Sequence, residues 1–534
     1  MNMPIEVELK FSLDPKAAAS VARLPLLLGH AAEKPTTRIL KSTYFDTPDA
    51  DLRRSGVTLR LRRTGRDWWQ TLKEDDSGSG GLYARAESEH RVTPGRLDLG
   101  KIGDARLRKK LVKWQAKGEL GPRFETVIRR TTWLLNTADG AVIECAMDRG
   151  QVRTFGGRRS WPLCEIELEL KAGTPSALFP LARDMAGALP LAVEPRSKAE
   201  RGYALWLRKP LSQPRKATPL LLPDNATLAD AMAEIVGSGL AHLQCNWQAA
   251  RVAPRYDPEH VHQMRVASRR LRTAFTVFGH IDTALKAHPL AVELRWLAGL
   301  LGEARDWDVL LAETFPKLLA TFPDERALRA LARKAGAQRQ RARLAAREAL
   351  HSPRYFGLLL DLTEFVVALR ARTALAVPVT PVAATLLTRR DKQLRRRAKH
   401  LAELSAIDRH ALRIAAKKLR YTAEFFGSLF SGRKLEKFLH RFSELQKALG
   451  MLNDLATTRA LMLRLAPGAS AEAQRALGLC IGWAADLEEG SLTDLARCWE
   501  SVERTAQFWP NDDSSDDTAS AATSLPAPPK PADP

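Results

Sequence analysis

Alternating apolar and polar residues dominate the first 205 positions of the chain. Runs such as IEVELKF (5–11), VTLRLRR (57–63) and CEIELELK (164–171) place every second side chain on the same face, which is typical of β-strands. From about residue 227 to 508 the pattern becomes helical, in long stretches rich in Ala, Leu and Arg. We therefore expect an N-terminal sheet followed by a helical region.

Proline content and low complexity suggest where these regions begin and end. The stretch KPLSQPRKATPLLLPDN carries four prolines and no periodicity, which favours a linker. The last residues are rich in Asp, Ser, Ala and Pro, a composition typical of disorder. The predicted organisation is a first domain at 1–207, a linker at 208–226, a helical domain at 227–508 and a disordered tail at 509–534.

The helical region contains an internal repeat. VHQMRVASRRLRTAFTVF begins at 261 and RHALRIAAKKLRYTAEFF begins at 409, so that equivalent residues lie 148 positions apart. LLGEARDWDVL (300–310) and ALGMLNDLATT (448–458) keep the same offset. A constant offset over two blocks indicates a duplication, with repeats at about 227–372 and 373–508.

Composition excludes several classes of protein. With 45% hydrophobic and 27% charged residues, the chain can bury a core and is neither wholly disordered nor fibrous. No apolar run reaches the roughly 18 residues of a membrane span, and MNMPIEVELK is too acidic for a signal peptide. Five cysteines without CxxC spacing fit a reducing compartment. We expect a soluble, cytoplasmic protein.

The net charge of +22 predicts a polyanionic partner. Residues 1–220 and 221–510 each carry +13, whereas the tail from 511 carries −4. Nucleic acid, acidic lipid and phosphate chains all satisfy this electrostatic requirement. Nucleic acid is disfavoured because the sequence has no recognition-helix, OB-fold or aromatic stacking pattern.

Charged residues share one face of each predicted strand. Carboxylates concentrate on the first and last strands, as in Glu6 and Glu8, and cations on the middle ones, as in Arg60 and Arg62. One interpretation is a sheet with a solvated face. If the sheet instead closes into a barrel, these charges line its interior, where acids would hold a divalent cation and Arg or Lys would hold phosphate.

Ordered motifs along the same strands resemble the CYTH superfamily, the triphosphate tunnel metalloenzymes. They are Glu6-Val7-Glu8-Leu9-Lys10, Tyr44-Phe45-Asp46-Thr47, Leu59-Arg60-Leu61-Arg62, Thr71-Leu72-Lys73, Arg85-Ala86-Glu87, Arg130, Glu144 with Asp148, Glu165-Ile166-Glu167-Leu168-Glu169 and Ser197–Tyr203. The resemblance implies an antiparallel eight-stranded β tunnel with flanking helices, which binds triphosphate and a divalent metal, Mg²⁺ or Mn²⁺.

The resemblance also implies roles for individual residues. It assigns the metal to Glu6, Glu8, Glu167 and Glu169, with Glu165 and Glu87 as helpers. It assigns phosphate contacts in catalysis to Lys10, Arg60, Arg62 and Lys73, and substrate binding to Arg85, Arg130, Lys198 and Arg201. Asp148, or Glu144 on the same strand face, would position water or a second metal. Lys198 and Arg201 would lie on a helix that plugs the tunnel.

Each repeated helix has one basic face and one apolar face. At roughly 100° per residue, His262, Arg265, Arg269 and Arg272 share an arc, as do His410, Arg413, Lys417 and Arg420 in the second copy. Neither arc contains an acid at helical spacing that would relieve the repulsion. The two interpretations are a solvated amphipathic helix and a binding face for an external anion.

The repeated motifs resemble the CHAD family, the conserved-histidine α-helical domain. HxxRxxxRRLR is present as His262–Arg272 and LGxxRDxD as Leu301–Asp308, whereas the second copy has Asn453 and Ala456 in the acidic turn. The resemblance implies two pseudo-symmetric four-helix bundles that bind long-chain inorganic polyphosphate through those eight arc residues. The predicted fold class is therefore α+β and multidomain.

Three functions remain open at this point. The first is divalent-metal-dependent hydrolysis of inorganic triphosphate to pyrophosphate and phosphate, with polyphosphate bound by the helical domain. The pairing of the two domains resembles bacterial inorganic triphosphatases. The second is a non-catalytic protein that binds polyphosphate, associated with polyphosphate granules. The third is a nucleoside or thiamine triphosphatase, or an adenylate cyclase, on the same tunnel.

Overall fold

The computed structural model describes residues 5–74, 82–253, 255–430 and 432–510. The chain forms two compact units. The first comprises Met1–Arg215, Leu240–His260 and His351–Ala368, and the second comprises Lys216–Gly239, Val261–Leu350 and Leu369–Pro534. Two helical segments thus cluster with the sheet, which composition alone did not suggest. Residues 511–534 of the predicted tail lie outside the described residues.

An antiparallel sheet forms most of the first unit. Its strands are β1 (Ile5–Leu13), β2 (Thr36–Asp46), β3 (Val57–Thr64), β4 (Asp67–Glu74), β5 (Leu82–Arg91), β6 (Gly121–Asn136), β7 (Val142–Thr154), β8 (Ser160–Ala172) and β9 (Leu191–Val193). Together with the helical second unit, this sheet confirms the α+β class.

The sheet has nine strands, so the expected number of eight was wrong. The strand order is β5-β4-β3-β2-β6-β7-β8-β1-β9, and β5 also pairs with β1. That extra pairing closes eight strands into a ring. The ninth strand, β9, pairs with residues Phe11–Leu13 of β1, beyond the part of β1 that pairs with β5.

Helices connect and follow the strands of the ring. They are α1 (Ala18–Val21), α2 (Pro25–His30), α3 (Asp51–Arg54), α4 (Ala105–Ala116), α5 (Leu178–Ala188) and α6 (Lys198–Trp206). Leu59 and Leu72 are buried in a cluster with Leu52 of α3 and Leu111 of α4. The apolar face of the alternating strands therefore packs under helices, which leaves the charged face for the interior of the ring.

Helix α6 begins at a capping box and fits closely against the sheet. Ser197 accepts a hydrogen bond from the backbone N–H of Glu200, and the Glu200 side chain accepts one from the backbone N–H of Ser197. A Cβ at Gly202 would lie 2.0 Å from Cε2 of Phe124, so only glycine allows this approach. The close packing fixes the first turn of α6, which carries Lys198.

From Leu228 to Glu503 the described residues are mostly helical. The helices are α7 (Leu228–Val252), α8 (Pro258–Phe278), α9 (Pro289–Val309), α10 (Phe315–Thr321), α11 (Arg326–Leu350), α12 (Pro353–Arg370), α13 (Val379–Arg397), α14 (Ala406–Phe426), α15 (Arg433–Leu465) and α16 (Ala471–Glu503). In the described part of the chain, none of them combines the length and apolar character that crossing a bilayer requires.

The two copies of the repeat form equivalent helices, α8 and α14. Their predicted apolar faces are buried: Met264, Ala267, Leu271, Phe275 and Phe278 in α8, and Leu412, Ala415, Leu419, Ala423 and Phe426 in α14. The rings of Phe278 and Phe426 contact each other edge to face at 6.4 Å. The grouping of the helices into two four-helix bundles stays a prediction.

Candidate functional site

The interior of the strand ring holds a polar cavity of about 280 Å³. It is lined by most of the residues that the sequence assigned to the tunnel: Glu6, Glu8, Lys10, Arg60, Arg62, Lys73, Glu87, Arg130, Glu144, Glu167, Glu169 and Lys198. The alternation of the strands is the reason for this convergence, because each strand turns its charged face inward.

Acids and cations occupy opposite sides of the cavity. Glutamates come from β7, β8, β1 and β5, which are consecutive in the closed ring, whereas Arg60, Arg62, Lys73 and Arg130 come from β3, β4 and β6. Lys10 on β1 is an exception, because it lies 3.4 Å from Glu8 and 3.5 Å from Glu167 on the acidic side. The closure of β1 on β5 is what makes the acidic side continuous.

A row of three glutamates crosses the acidic side. Glu8 is opposite Glu169 in the β1–β8 register, and Glu169 is opposite Glu144 in the β7–β8 register. Like charges directly opposite each other destabilise a sheet. Burial raises the pKa of Glu169, and Glu6 and Glu144 raise it further, although Lys171 donates a hydrogen bond to it. Carboxylate oxygens gathered in this way suit a hard divalent cation.

Deeper in the wall, three buried carboxylates gather around a lysine. Asp148, Glu165 and Glu167 have oxygens within 4.8 Å of one another, close enough to hold a metal. Lys198 Nζ already lies among them, 2.9 Å from Asp148 and 2.6 Å from Glu167, and it contacts Glu165 as well. Arg130 donates two hydrogen bonds of 2.7 Å to Asp148. This group is thus neutralised by the protein itself.

The charge balance of Glu167 separates it from the other predicted metal ligands. Burial alone would raise its pKa, but Lys198, Arg130 and Lys10 outweigh burial and hold the pKa well below its ordinary value. Its carboxylate is therefore committed to cations of the chain. Among the cavity glutamates, Glu144 makes no ion pair with another described residue, which leaves its oxygens available.

The cationic side contains a guanidinium with no acidic partner. Arg62 makes no ion pair within the described ranges, and its Nε donates a hydrogen bond of 3.3 Å to Ser42 Oγ. Burial lowers the pKa of Arg62 to about 10, and the charges of Arg60 and Arg130 act in the same direction. An anion in the cavity would relieve this repulsion.

Two further cations hold the boundary between the two sides. Lys73 Nζ lies 2.6 Å from Glu6 and 2.8 Å from Glu87, and Arg60 lies 3.3 Å from Glu87. Burial opposes the ionisation of Glu87, but Lys73 and Arg60 lower its pKa below the ordinary value. These pairs fix the orientation of the cationic side chains.

Two of the predicted catalytic and substrate-binding residues, Asp148 and Arg201, lie behind the lining rather than in it. Asp148 is fully buried and holds Arg130 and Lys198 from behind. Arg201 contacts Glu165 and lies 3.8 Å from Glu194. Neither lines the cavity, so this geometry supports positioning roles. The side chain of Arg85, on β5, lies outside the described residues.

Tyr44 also lines the cavity, although the sequence motifs assigned it no role. Its ring stacks on Phe124 at 4.5 Å, it is 3% exposed, and it lies opposite Arg60 in the β2–β3 register. Burial would raise its pKa, but the charges of Arg60 and Arg62 outweigh burial and lower it. The alternation of β2, which puts Ser42 and Tyr44 on one face, was the available signal.

A second group of cations lies between the repeated helices of the other unit. Burial, together with the charges of Arg413, Arg269 and Arg265, lowers the pKa of Lys417 to about 6. Asp454 opposes them only weakly, as the smallest of the causes. We call these four cations the repeat cluster. Two of its members come from α8 and two from α14, as the repeat predicted.

Equivalent glycines and acids support the repeat cluster from α9 and α15. Arg265 lies against Gly302 and pairs with Asp306 at 2.7 Å. In the other copy a Cβ at Gly450 would lie 2.8 Å from Nη1 of Arg413. The acids missing from the basic arcs are thus supplied in part by the neighbouring helices, which the helical pattern of α8 and α14 alone could not show.

The remaining predicted arc residues are placed differently in the two copies. Nδ1 of His410 lies 2.8 Å from Asn453 Oδ1, and His262 is partly buried on α8. Arg420 pairs with Glu424 at 2.8 Å. Arg272 is repelled by Arg295, and it is not among the main charges that shift the pKa of Lys417. The pseudo-symmetry therefore holds for the repeat cluster and fails one helical turn further on.

Known protein families match both the sheet-forming part and the helical part of the chain. Residues 4–203 match the CYTH domain, and residues 234–463 match the CHAD domain. An inorganic triphosphatase of Haemophilus influenzae is 29% identical over 216 residues, which are 38% of this chain and 58% of that protein. The chain thus spans less than two thirds of this relative's length.

This chain matches two further relatives over nearly their whole length. An uncharacterized protein of Mycobacterium tuberculosis is 28% identical over 537 residues, with 93% of this chain and 95% of that protein covered. The crystal structure of the CHAD domain from the plant Ricinus communis is 31% identical, with a TM-score of 0.50, over 56% of this chain and 99% of that one. The chain belongs to the CYTH and CHAD families, with a CYTH domain at residues 4–203 and a CHAD domain at residues 234–463.

Proposed function

We propose that the tunnel hydrolyses inorganic triphosphate to pyrophosphate and phosphate with a divalent cation, and that the helical domain binds polyphosphate. The observation that carries the catalytic half is that the cavity inside the closed ring of strands is divided into a cationic and an acidic side. A metal-bound phosphate chain has the complementary arrangement of charge. The similarity to the Haemophilus influenzae inorganic triphosphatase supports the same activity.

The cationic side is suited to hold the phosphate chain. Arg60, Arg62 and Arg130 offer planar N–H groups that match phosphate oxygens, and Lys198 adds a point charge from α6. Asp148 restrains Arg130 and Lys198 from behind, so the donors are already oriented in the free protein. Pre-oriented charge is the main contribution a protein makes to phosphoryl transfer.

The acidic side is suited to hold Mg²⁺ or Mn²⁺. Glu6, Glu8, Glu169 and Glu144 are the residues we assign to the ion, with Glu144 in place of Glu167 because the latter is paired with Lys198, Arg130 and Lys10. All four supply carboxylate oxygens, the donor type these cations prefer. When bound, the ion would neutralise phosphate charge and so assist attack by water.

The chemistry requires no covalent nucleophile from the protein. Water displaces pyrophosphate from a terminal phosphorus, and one P–O bond forms as the bridging P–O bond breaks. The cations on the cationic side of the cavity stabilise the charge on the leaving oxygens. Cations that contact both ends of the triphosphate would also keep the attacking and leaving oxygens in line.

An inorganic substrate is favoured over a nucleotide or thiamine derivative. Tyr44 is the single aromatic residue among the described residues that line the cavity. One face of its ring is stacked on Phe124, and the residue is 3% exposed. A nucleobase or thiazole ring would therefore find no free aromatic face on which to stack.

A substrate panel tests the proposed activity. Phosphate release by the full chain is measured with tripolyphosphate, ATP and thiamine triphosphate, each with Mg²⁺, Mn²⁺ or EDTA. We expect metal-dependent release that is fastest with tripolyphosphate. Faster turnover of ATP or thiamine triphosphate would support the alternative enzymes, and no turnover of any substrate would support a non-catalytic, granule-associated protein.

The repeat cluster carries the proposal of polyphosphate binding. Burial and the charges of its three guanidinium groups hold the pKa of Lys417 near 6, so a chain of phosphates is a fitting counter-charge. Replacing Arg265, Arg269 and Arg413 by Gln should weaken binding of long-chain polyphosphate and flatten its dependence on salt. Unchanged affinity would favour the other interpretation, in which the basic arcs are solvated faces of amphipathic helices.

A further inference from the structure

The two copies of the repeat differ at a partly buried position, and the difference leaves a lysine without its acid. In one half, Arg270 of α8 forms an ion pair with Glu424 of α14. With the offset of 148 residues, the equivalent positions are Lys418 of α14 and Thr276 of α8. The acid of one half is thus a threonine in the other, and the cation equivalent to Arg270 has no carboxylate opposite it.

Further cations surround this lysine instead of an acid. Burial lowers the pKa of Lys418, and the charges of Arg390, Arg272 and Arg397 lower it further. Within the described ranges, none of the four forms an ion pair with a carboxylate. We call these residues the α13 cluster, because Arg390 and Arg397 belong to that helix.

Arg390 is held in place with one donor unused. It is 4% exposed, its Nη2 donates to the Thr276 carbonyl oxygen at 3.1 Å, and its Nη1 donates to Gln393 Oε1 at 3.0 Å. Its buried Nε–H has no hydrogen-bond partner among the described residues. A solvated basic face would leave such a guanidinium exposed to water, whereas this one is fixed at the position of the lost acid.

We propose that Arg272, Arg390, Arg397 and Lys418 form a second anion site in the helical domain, which takes phosphate oxygens. Guanidinium groups and an ammonium that converge without acids are typical ligands of phosphate. The bound anion would supply the negative charge that Glu424 supplies in the other half. The source is either free orthophosphate or pyrophosphate, or a segment of long-chain polyphosphate.

The α13 cluster is separate from the repeat cluster. Lys417 and Lys418 are consecutive on α14, so their side chains leave the helix about 100° apart. The field at Lys417 comes from Arg413, Arg269 and Arg265, and the field at Lys418 comes from a different set of residues. Phosphate at the α13 cluster therefore requires neither the tunnel nor the repeat cluster, and the site can be tested independently of the proposed catalysis.

Restoring the missing acid is the sharpest test. Thr276→Glu places at the α8 position the carboxylate that Glu424 provides in the other copy. Thr321→Glu on α10 is the matched control, because it changes the charge equally and its hydroxyl also bonds the carbonyl of the residue four positions earlier. Melting temperatures of both variants establish that they are folded.

The readout is specific to one amine. Lys418 is acetylated with acetic anhydride in the full chain, and the rate is followed by mass spectrometry with and without orthophosphate, pyrophosphate or long-chain polyphosphate. We expect phosphate to slow acetylation about tenfold in the wild type and in Thr321→Glu, and not in Thr276→Glu. Protection by the small anions identifies a free phosphate as sufficient, and protection by polyphosphate alone identifies the long chain.

Two results would overturn the α13 site. The first is an acetylation rate of Lys418 that none of the three anions changes in the wild type. The second is equal protection in Thr276→Glu and in the wild type, because the added carboxylate would then not compete with the ligand. Either result can occur with the tunnel fully active, so loss of this site and loss of the proposed hydrolysis are distinguished by the phosphate-release assay.

Discussion

Binding of polyphosphate to the repeat cluster should take up a proton at Lys417. Burial and the charges of Arg413, Arg269 and Arg265 lower the pKa of this amine to about 6 in the free protein. At pH 7 about nine tenths of the amine is therefore neutral. A bound polyanion favours the charged form and raises the pKa, so the expected uptake is about 0.9 proton per site at pH 7.

The sign of the pH dependence follows from the same shift. The pKa is lower in the free protein than in the complex, so affinity is highest below pH 6, where the amine is already charged. Affinity should fall as the pH rises above 6, by up to about tenfold per unit, until the pKa of the complex is reached. Lys417→Arg, which stays charged throughout, should bind with a flatter pH profile.

Calorimetry in buffers of different ionisation enthalpy measures the uptake directly. Titration of long-chain polyphosphate into the full chain, in PIPES and in Tris at pH 7, gives the number of protons exchanged. All other titratable groups are present in both proteins, so the difference in proton uptake between wild type and Lys417→Arg isolates the lysine. Equal proton uptake by the two proteins would refute the assignment.

Three further substitutions probe the tunnel. Asp148→Asn removes the buried partner of Arg130 and should lower the free energy of unfolding by about 3 kcal/mol, measured by urea denaturation; an unchanged midpoint would contradict the buried pair. Gly202→Ala places a Cβ 2.0 Å from Phe124 and should cost about 1–3 kcal/mol, seen as a lower melting temperature, with Gly187→Ala as the control in open space. Glu144→Gln should raise the Mg²⁺ concentration for half-maximal phosphate release about tenfold. If that Mg²⁺ concentration is unchanged, Glu167 rather than Glu144 is the fourth metal ligand.

Period-2 alternation predicted the inward-facing charges of the tunnel. Glu6, Glu8, Arg60 and Arg62 all line the cavity, because the side-chain direction along a strand depends only on the parity of the position. Alternation does not predict how deeply a side chain is buried in the wall of the strand ring. Asp148 has the correct parity and yet lies behind the lining, since its position depends on the packing of α6.

The ninth strand and the asymmetry of the repeat could not be predicted for a related reason. Leu191–Val193 is three residues long, too short to show a period, and its pairing with β1 depends on the folded ring. The helical arcs gave the direction of Arg272 and Arg420 but not the neighbours of those residues. Glu424 neutralises Arg420, and that contact became visible only with the side chains in place.

The most direct test of the metal–triphosphate tunnel is phosphate release from tripolyphosphate with Mg²⁺ by Glu6→Ala/Glu8→Ala. The two glutamates line the cavity on β1, and the matched control is Glu33→Ala/Glu119→Ala, which removes two acids that do not line it. We predict that turnover falls about a hundredfold or more in the first variant and stays at the wild-type value in the control. Wild-type turnover in Glu6→Ala/Glu8→Ala would contradict the assignment of the acidic side of the tunnel to the catalytic metal.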